Sequence, residues 1–229
     1  MNAPENMMTG IRGVIVDLDG TMVHTAPDFQ VAINRMRAEL GLEPLSVETI
    51  ISFVGKGSEN LMRRVLDVDY ESAVAESLYE QALESYKRHY EDINGLYSSV
   101  YDGVSEGLAA MKANGLRLAC VTNKPVAFAR VLLDKTGLAS YFEVIYGGDS
   151  LPAKKPDPLP MLTVCRDFGL EPAQVVAIGD SSNDAEAARA AGCRSLTVPY
   201  GYNHGKPVHS IATDGIVATL FEAARLLAA

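Results

Sequence analysis

The sequence predicts an α/β fold: a doubly wound, Rossmann-like parallel sheet interrupted after its first strand by an inserted all-helical domain. The apolar β-branched run Val14-Ile15-Val16 is typical of a strand buried in a parallel sheet. No second strand pattern follows until about residue 116. From residue 101 onward, helical and extended patterns alternate, which indicates a parallel sheet with helices on both faces.

The segment between the first two strand patterns has helical periodicity. Apolar residues at helical spacing predict helices over 28–40, 58–66 and 72–90, and Gly41 suits the end of the first. Such helices are expected to form a small bundle. The sequence therefore predicts a helical domain at 22–97, inserted into an α/β core made of 1–21 and 98–229.

The second half of the chain supplies the rest of the sheet. Periodicity predicts helices at 104–114, 126–136, 158–168, 183–191 and 216–227. The strands between them are predicted at 116–121, 142–146, 175–178 and 195–198. In open α/β sheets ligands bind beyond the ends of the strands, so polar residues that follow strands are the candidates for a functional site.

Composition excludes several kinds of partner. A net charge of -9 over 229 residues argues against nucleic acid or an anionic membrane surface. Three widely spaced cysteines suggest neither a disulfide framework nor a zinc site, which fits a reducing cytoplasm. From the lack of an apolar leader pattern or a long apolar run, we expect a protein that is neither exported nor membrane-spanning. We expect a cytoplasmic monomer or homodimer whose partner is a small anionic molecule.

Asp17 and Asp19 follow the first strand and lie two residues apart, so extended backbone would point both side chains the same way. At about 4 Å and an effective dielectric near 20, two like charges repel by about 4 kcal/mol. The pair therefore needs a cation, a shared proton, or both. A Mg²⁺-assisted phosphoryl-transfer site would meet this need. A turn in which one aspartate caps the next helix is the alternative.

Further polar residues follow other strands. Thr122 and Asn123 offer a hydroxyl and an amide, which suit phosphoryl oxygens. Asp180 and Asp184 add two carboxylates before a helix, where simple N-capping is an alternative explanation. Lys155 precedes a proline that could hold it in place, although such a lysine can equally lie in a solvated loop.

The formal charges of these groups suggest how a phosphate could enter. With Asp17, Asp180 and Asp184 ionised, Asp19 protonated, and Lys155 and one Mg²⁺ present, the charges cancel. Without either cation the carboxylates would repel a phosphate dianion. The carboxylate cluster therefore implies the metal.

The ordered set of motifs resembles that of haloacid dehalogenase (HAD) superfamily phosphatases. The motifs are Asp17-x-Asp19-Gly20-Thr21, Thr122-Asn123, Lys155-Pro156 and Gly179-Asp180-Ser181-x-x-Asp184. The resemblance implies a HAD-like core, a cap domain at 22–97 that closes over the substrate, and phosphomonoester hydrolysis through an aspartyl-phosphate.

The resemblance also implies a role for each motif residue. Asp17 would attack phosphorus, and Asp19 would protonate the leaving alkoxide and later activate water. Mg²⁺ would be held by the Asp17 carboxylate, the Asp19 carbonyl and Asp180. Phosphoryl oxygens would contact Thr122, Asn123 and Lys155. Asp184 and Thr21 would contact these site residues and hold them in position.

Three further segments resemble the phosphoglycolate phosphatase branch of the family: Gly-Gly-Asp at 147–149, Pro-Tyr-Gly-Tyr-Asn at 199–203 and Thr-Ala-Pro-Asp-Phe at 25–29. This resemblance implies 2-phosphoglycolate as substrate. In the cap, Gly55 and Lys56 open a helix and offer an anion contact, although Lys56 can equally be a solvated loop residue. His24 stands where many relatives carry an acidic residue. His204 and His209 are expected to be loop residues rather than ligands. Of the neighbouring arginines 63 and 64, one should face solvent and one inward.

Three alternatives remain open at this point. A sugar-phosphate or amino-sugar-acid-phosphate phosphatase and a phosphosugar mutase would use the same core chemistry. A phospho-receiver signalling module also uses Asp, Thr and Lys at strand ends, but such modules lack the second carboxylate and need no cap.

Overall fold

A computed structural model describes residues 8–228 of the chain. Within them, six parallel strands form one sheet in the order β5-β4-β1-β6-β7-β8. The strands are β1 Gly13–Val16, β4 Arg117–Val121, β5 Val144–Tyr146, β6 Val175–Gly179, β7 Arg194–Thr197 and β8 Gly215–Ile216. The predicted α/β fold with a doubly wound parallel sheet is confirmed.

Helices cover both faces of the sheet. They are α5 Val104–Ala113, α6 Val126–Lys135, α7 Leu159–Phe168, α8 Ser182–Ala191 and α9 Leu220–Leu227. Because successive strand residues point to opposite faces, Val14 and Val16 belong to one hydrophobic cluster with helices α5, α6 and α9. Ile15 belongs to the other, with α7 and α8. The central strand β1 is therefore buried on both sides, as its apolar run predicts.

Four helices follow β1 before the sheet resumes, and we call them the helical insert. They are α1 Ala26–Glu39, α2 Val47–Phe53, α3 Ser58–Leu66 and α4 Ser72–Ile93. Their apolar faces form a third hydrophobic cluster, to which the core contributes Tyr202 and the partly buried Phe128. The assignment of 22–97 as a separate domain stays a prediction. No helix among residues 8–228 is both long and apolar enough to cross a membrane.

The insert joins the core through a short antiparallel ribbon that periodicity did not predict. Strand β2 (Val23–His24) pairs with β3 (Ser99–Val100), and each has only two residues, too few for a strand pattern. Beside the ribbon, the buried Asp28 carboxylate accepts hydrogen bonds from the main-chain N–H groups of Gly95 and Tyr97, at 2.7 and 2.8 Å. These contacts tie the start of α1 to the segment after α4.

Two other details differ from the sequence prediction. Helix α2 was missed because its seven residues make only two turns. The predicted helix at 216–227 starts too early, because Gly215–Ile216 pairs with β7 as strand β8. The Thr219 hydroxyl accepts a hydrogen bond from the Glu222 N–H and caps α9, which fixes the start of the helix at Leu220.

Candidate active site

A cavity of about 40 Å³ lies where the helical insert faces the carboxyl ends of β1, β4 and β6. Its polar lining residues come mainly from the core, and its aromatic ones mainly from the insert. Those that concern the chemistry are Asp17, Asp19, Thr122, Asn123, Lys124, Lys155, Asp180, Asn183 and His204 from the core, with Phe29, Gly55 and Tyr90 from the insert. The strand ends therefore bring the predicted core residues together.

Lys155 links two of the predicted carboxylates. Its ammonium nitrogen lies 2.8 Å from Asp17 Oδ1 and 2.6 Å from Asp184 Oδ1, and it donates to the Val121 carbonyl at 2.6 Å. The lysine is buried, so these three acceptors satisfy all three of its N–H groups within the protein. The solvated-loop alternative for Lys155 is therefore excluded.

Burial and nearby charges perturb the protonation of this pair. Desolvation raises the pKa of Asp17 to about 8, with Asp184 and Asp180 adding to the rise and Lys155 opposing it. Burial alone would lower the pKa of Lys155, but Asp17 and Asp184 outweigh it and raise that pKa above its ordinary value. The pocket thus holds more negative charge than Lys155 can neutralise.

The Asp180 carboxylate accepts hydrogen bonds from two distant parts of the chain. Its Oδ1 accepts from the Thr21 hydroxyl at 3.1 Å, and its Oδ2 accepts from the Tyr202 N–H at 2.6 Å. Two glycines make room for this carboxylate. A Cβ on Gly20, which has φ +84°, would lie 2.5 Å from Asp180 Oδ2, and one on Gly201 would lie 2.1 Å from Asp180 Cβ. Burial, followed by the charge of Asp184, raises the pKa of Asp180 to about 6.

Asp184 takes part in a helix cap and also contacts Lys155. Its Oδ2 accepts from the Ser181 hydroxyl at 2.7 Å and the Ser181 N–H at 3.2 Å, which completes a capping box at the start of α8. Its Oδ1 meanwhile faces Lys155. One oxygen from each of Asp17, Asp180 and Asp184 lies within 4.8 Å of the others, so these three groups could hold a metal ion.

Lys124 is a site residue that the sequence analysis missed. Its ammonium nitrogen lies 2.9 Å from Asp19 Oδ1 and 2.7 Å from the Tyr90 hydroxyl oxygen. The predicted charge balance included only Lys155 and the metal as cations. It omitted the Lys124 ammonium, which adds a further positive charge beside Asp19. The only sequence signal was its position directly after Thr122-Asn123.

In the predicted phosphate-binding segment at 122–123, the hydrogen-bonding groups that remain available to a ligand differ from those expected. The Asn123 side-chain amide donates to the carbonyls of Gly55 and Lys155, at 2.9 and 2.8 Å, so both its N–H groups are engaged. The main-chain N–H of Asn123 has no acceptor among residues 8–228 and is free to donate. The Thr122 hydroxyl oxygen accepts from the Lys124 N–H at 3.2 Å and lines the cavity.

In the helical insert, Gly55 lines the cavity and Lys56 does not. The Gly55 carbonyl also accepts from the Asn183 amide at 3.0 Å, and a Cβ on Gly55 (φ +117°) would lie 2.6 Å from His204. Lys56 is exposed and does not line the cavity, so its predicted substrate contact stays a prediction. His204 lies in a short 3-10 turn, Asn203–Gly205; it lines the cavity, and its Nδ1 lies 2.8 Å from the Val54 carbonyl oxygen.

The remaining residues singled out in the sequence lie outside the cavity lining. Arg63 is exposed and stacks on Tyr79, whereas the half-buried Arg64 donates to the Ser52 carbonyl at 2.5 Å, which identifies the inward-facing arginine. His209 is exposed. His24 Nδ1 lies 3.2 Å from the hydroxyl oxygens of two tyrosines, 101 and 202, and burial lowers its pKa.

Comparison with known proteins identifies relatives along nearly the whole chain. Residues 11–192 match the model of the haloacid dehalogenase-like hydrolase family. The chain is 49% identical over 217 residues to a phosphoglycolate phosphatase of Thiobacillus denitrificans, covering 95% of this chain and 96% of the relative. A phosphoglycolate phosphatase of Nitrosospira multiformis is 47% identical over the same shares of both chains.

Solved structures show the same fold. A predicted phosphoglycolate phosphatase from Haemophilus somnus superposes with a TM-score of 0.91 at 33% identity, covering 96% of this chain and 99% of that one. CbbY from Rhodobacter sphaeroides, solved in complex with phosphate, superposes with a TM-score of 0.75 at 23% identity, covering 93% and 96% of the two chains. The chain belongs to the haloacid dehalogenase-like hydrolase family.

Proposed function

We propose that this hydrolase is a Mg²⁺-dependent phosphomonoesterase whose substrate is 2-phosphoglycolate. The observation that carries the proposal is the pairing of two carboxylate sites in one cavity. Asp17 lies beside Asp180, Asp184 and Lys155, and Asp19 lies separately beside Lys124. The curated relatives named phosphoglycolate phosphatase support the choice of substrate.

The carboxylate cluster fits a magnesium ion. Mg²⁺ prefers oxygen ligands, and Asp17, Asp180 and Asp184 offer carboxylate oxygens close enough to share one ion. Burial raises the pKa values of Asp17 and Asp180, and the charge of the neighbouring Asp184 adds to both rises, which a bound cation would oppose. We propose that Asp17, Asp180 and the Asp19 carbonyl bind the ion, with Asp184 supporting them. When bound, the ion would neutralise charge on the phosphoryl group and the carboxylates.

In the proposed mechanism, the Asp17 carboxylate attacks phosphorus and the bond to the leaving oxygen breaks. Asp19 gives that oxygen a proton, so glycolate departs with a hydroxyl group rather than as an alkoxide. Asp19 then takes a proton from a water molecule, which attacks the phosphorus of the aspartyl-phosphate. Inorganic phosphate is released and Asp17 is regenerated. The two aspartates can divide these tasks because their side chains have different cationic neighbours.

Groups around Asp17 are placed to receive the phosphoryl oxygens. The Thr122 hydroxyl and the free main-chain N–H of Asn123 can donate to them, while Lys155 offsets the negative charge of its neighbours. Thr21 holds Asp180 in place. The Asn123 side chain has a separate task, because its amide connects the Gly55 loop of the helical insert to the core.

The cavity, of about 40 Å³, lies between the core and the helical insert, and we propose that it takes a compact leaving group such as glycolate. The buried free thiols among residues 8–228 agree with a reducing compartment, and we propose a cytoplasmic location.

A phosphate-release assay tests this proposal. It compares 2-phosphoglycolate, a sugar phosphate and a nucleotide, each with Mg²⁺ and with excess EDTA. We expect the highest kcat/KM for 2-phosphoglycolate and loss of activity with EDTA. A higher value for the sugar phosphate would refute the substrate, and phosphate release unaffected by EDTA would refute the metal. Asp17→Asn is the control for contaminating phosphatases.

A further inference from the structure

Lys124 places a buried positive charge inside an aromatic enclosure. The residue is 5% exposed, and its ammonium nitrogen lies 4.5 Å from the centre of the Phe29 ring and 4.7 Å from that of Tyr90. The edge of Phe128 packs against Tyr90, with their ring centres 5.1 Å apart. Both Phe29 and Tyr90 belong to the helical insert, whereas Lys124 follows β4 in the core. The insert thus desolvates a cation that the core supplies.

Only two lysine or arginine side chains line the cavity among residues 8–228, and they differ in what they still can bind. Lys155 donates to three protein acceptors and has no N–H left. Lys124 has two acceptors, the Asp19 carboxylate and the Tyr90 hydroxyl. One N–H of Lys124 therefore remains for a ligand.

The position of Lys124 relates it to the leaving group. In the proposed function, on which this inference rests, Asp19 protonates the oxygen that departs. Lys124 contacts the same carboxylate and must lie beside that oxygen. In 2-phosphoglycolate, the carbon that bears the oxygen also bears the carboxylate. We infer that Lys124 binds the substrate carboxylate and is the residue that selects carboxylated phosphate esters.

The surroundings of Lys124 strengthen such a contact. Aromatic walls exclude water, and a charged hydrogen bond is stronger where water is excluded. Lys56, the other lysine considered for this task, is exposed and outside the cavity lining. A hydrogen bond between charged groups corresponds to about a 10- to 100-fold effect on kcat/KM when it is removed. Lys124 should therefore account for most of the discrimination between esters with and without a carboxylate.

The test compares 2-phosphoglycolate with ethyl phosphate, which keeps the two-carbon skeleton but lacks the carboxylate. The quantity measured is the ratio of their kcat/KM values in the natural protein, in Lys124→Met and in Lys87→Met. Lys87 is exposed on α4, so its variant removes the same charge away from the cavity. We expect the ratio to fall about 10- to 100-fold in Lys124→Met and to stay unchanged in Lys87→Met.

Several outcomes would overturn the inference. An equal loss on both esters in Lys124→Met would mean that Lys124 acts only by positioning Asp19. If the kcat/KM ratio falls in Lys56→Met but not in Lys124→Met, Lys56 rather than Lys124 recognises the substrate carboxylate. If the natural protein hydrolyses both esters equally well, no residue reads the carboxylate, although the phosphatase chemistry stands. Release from neither ester would instead refute the proposed function.

A second variant covers the case in which Lys124→Met does not fold. Lys124→Gln is uncharged but can still donate to Asp19 and to the Tyr90 hydroxyl. Its ratio should fall about 10- to 100-fold as well, because the charge on the selecting group is lost. A ratio unchanged in Lys124→Gln would overturn the inference. Lys124→Arg keeps the charge and should retain more of the ratio than Lys124→Gln.

Discussion

Replacing Lys155 by methionine should destabilise the metal-free protein strongly. The side chain is buried and donates to the Asp17 carboxylate, the Asp184 carboxylate and one carbonyl. Methionine fills a similar volume but leaves Asp17 Oδ1, Asp184 Oδ1 and the Val121 carbonyl without the lysine donor. Breaking a buried ion pair from one side costs about 3–5 kcal/mol, because the remaining charge stays buried and unpaired. For a chain of this length, that loss corresponds to a melting temperature lower by roughly 6–20 °C.

Urea unfolding followed by circular dichroism, with excess EDTA present, measures this loss directly. The double variant Lys155→Met with Asp184→Asn is the matched comparison, because it removes one of the orphaned charges. We expect the double variant to be more stable than Lys155→Met alone, although Asp184→Asn by itself should destabilise the protein. A loss below about 1 kcal/mol for Lys155→Met, or losses of the two single variants that simply added, would refute the buried ion pair between Lys155 and Asp184 as a source of stability.

Three further predictions concern the aspartates. Asp17→Asn should fold normally, judged by circular dichroism, yet retain far less than a tenth of the phosphate release, because an amide cannot attack phosphorus. Asp19→Asn should lower kcat for 2-phosphoglycolate by about 10²- to 10⁴-fold, and a loss below about tenfold would reassign the proton transfer. In the metal-free protein, Asp17 has a folded-state pKa of about 8, raised from 3.8, so its protonated form is favoured in the native state. The free energy of unfolding should therefore fall as pH rises from about 4 to 8, and Asp17→Asn should flatten that dependence; an equally steep dependence in the variant would contradict the assignment.

The sequence predicted most of the core because its signals are local. The apolar run of β1 and the periodicity of α3 each lie within a few residues, and the structure has α3 at the predicted bounds. The grouping of Asp17 with Asp180 was predictable for a different reason. Parallel strands end at the same edge of a sheet, so residues that follow β1 and β6 meet although they are far apart in the chain.

Contacts between the insert and the core could not be predicted in this way. Lys124 meets Asp19 across 105 positions of sequence and meets Tyr90 on a helix of the insert, and no periodicity relates these residues. The Asn123 side chain is a second example of a contact that the sequence could not predict. Its amide suits phosphoryl oxygens, but in the folded chain it donates to the carbonyls of Gly55 and Lys155. Residue type predicted a polar role, and only the packing of the insert shows which partner is nearest.

The proposed function depends above all on phosphorylation of Asp17, and trapping the phosphorylated protein is its sharpest test. In Asp19→Asn, radiolabelled acetyl phosphate should still phosphorylate Asp17, because its leaving group needs no proton, whereas hydrolysis should be slow without the base. After acid quenching and peptide mapping, we predict hydroxylamine-sensitive label on the peptide that contains Asp17, and none when Asp17→Asn is added. Label on another residue, or phosphate release with no labelled protein at any time, would contradict the proposed role of Asp17 as nucleophile.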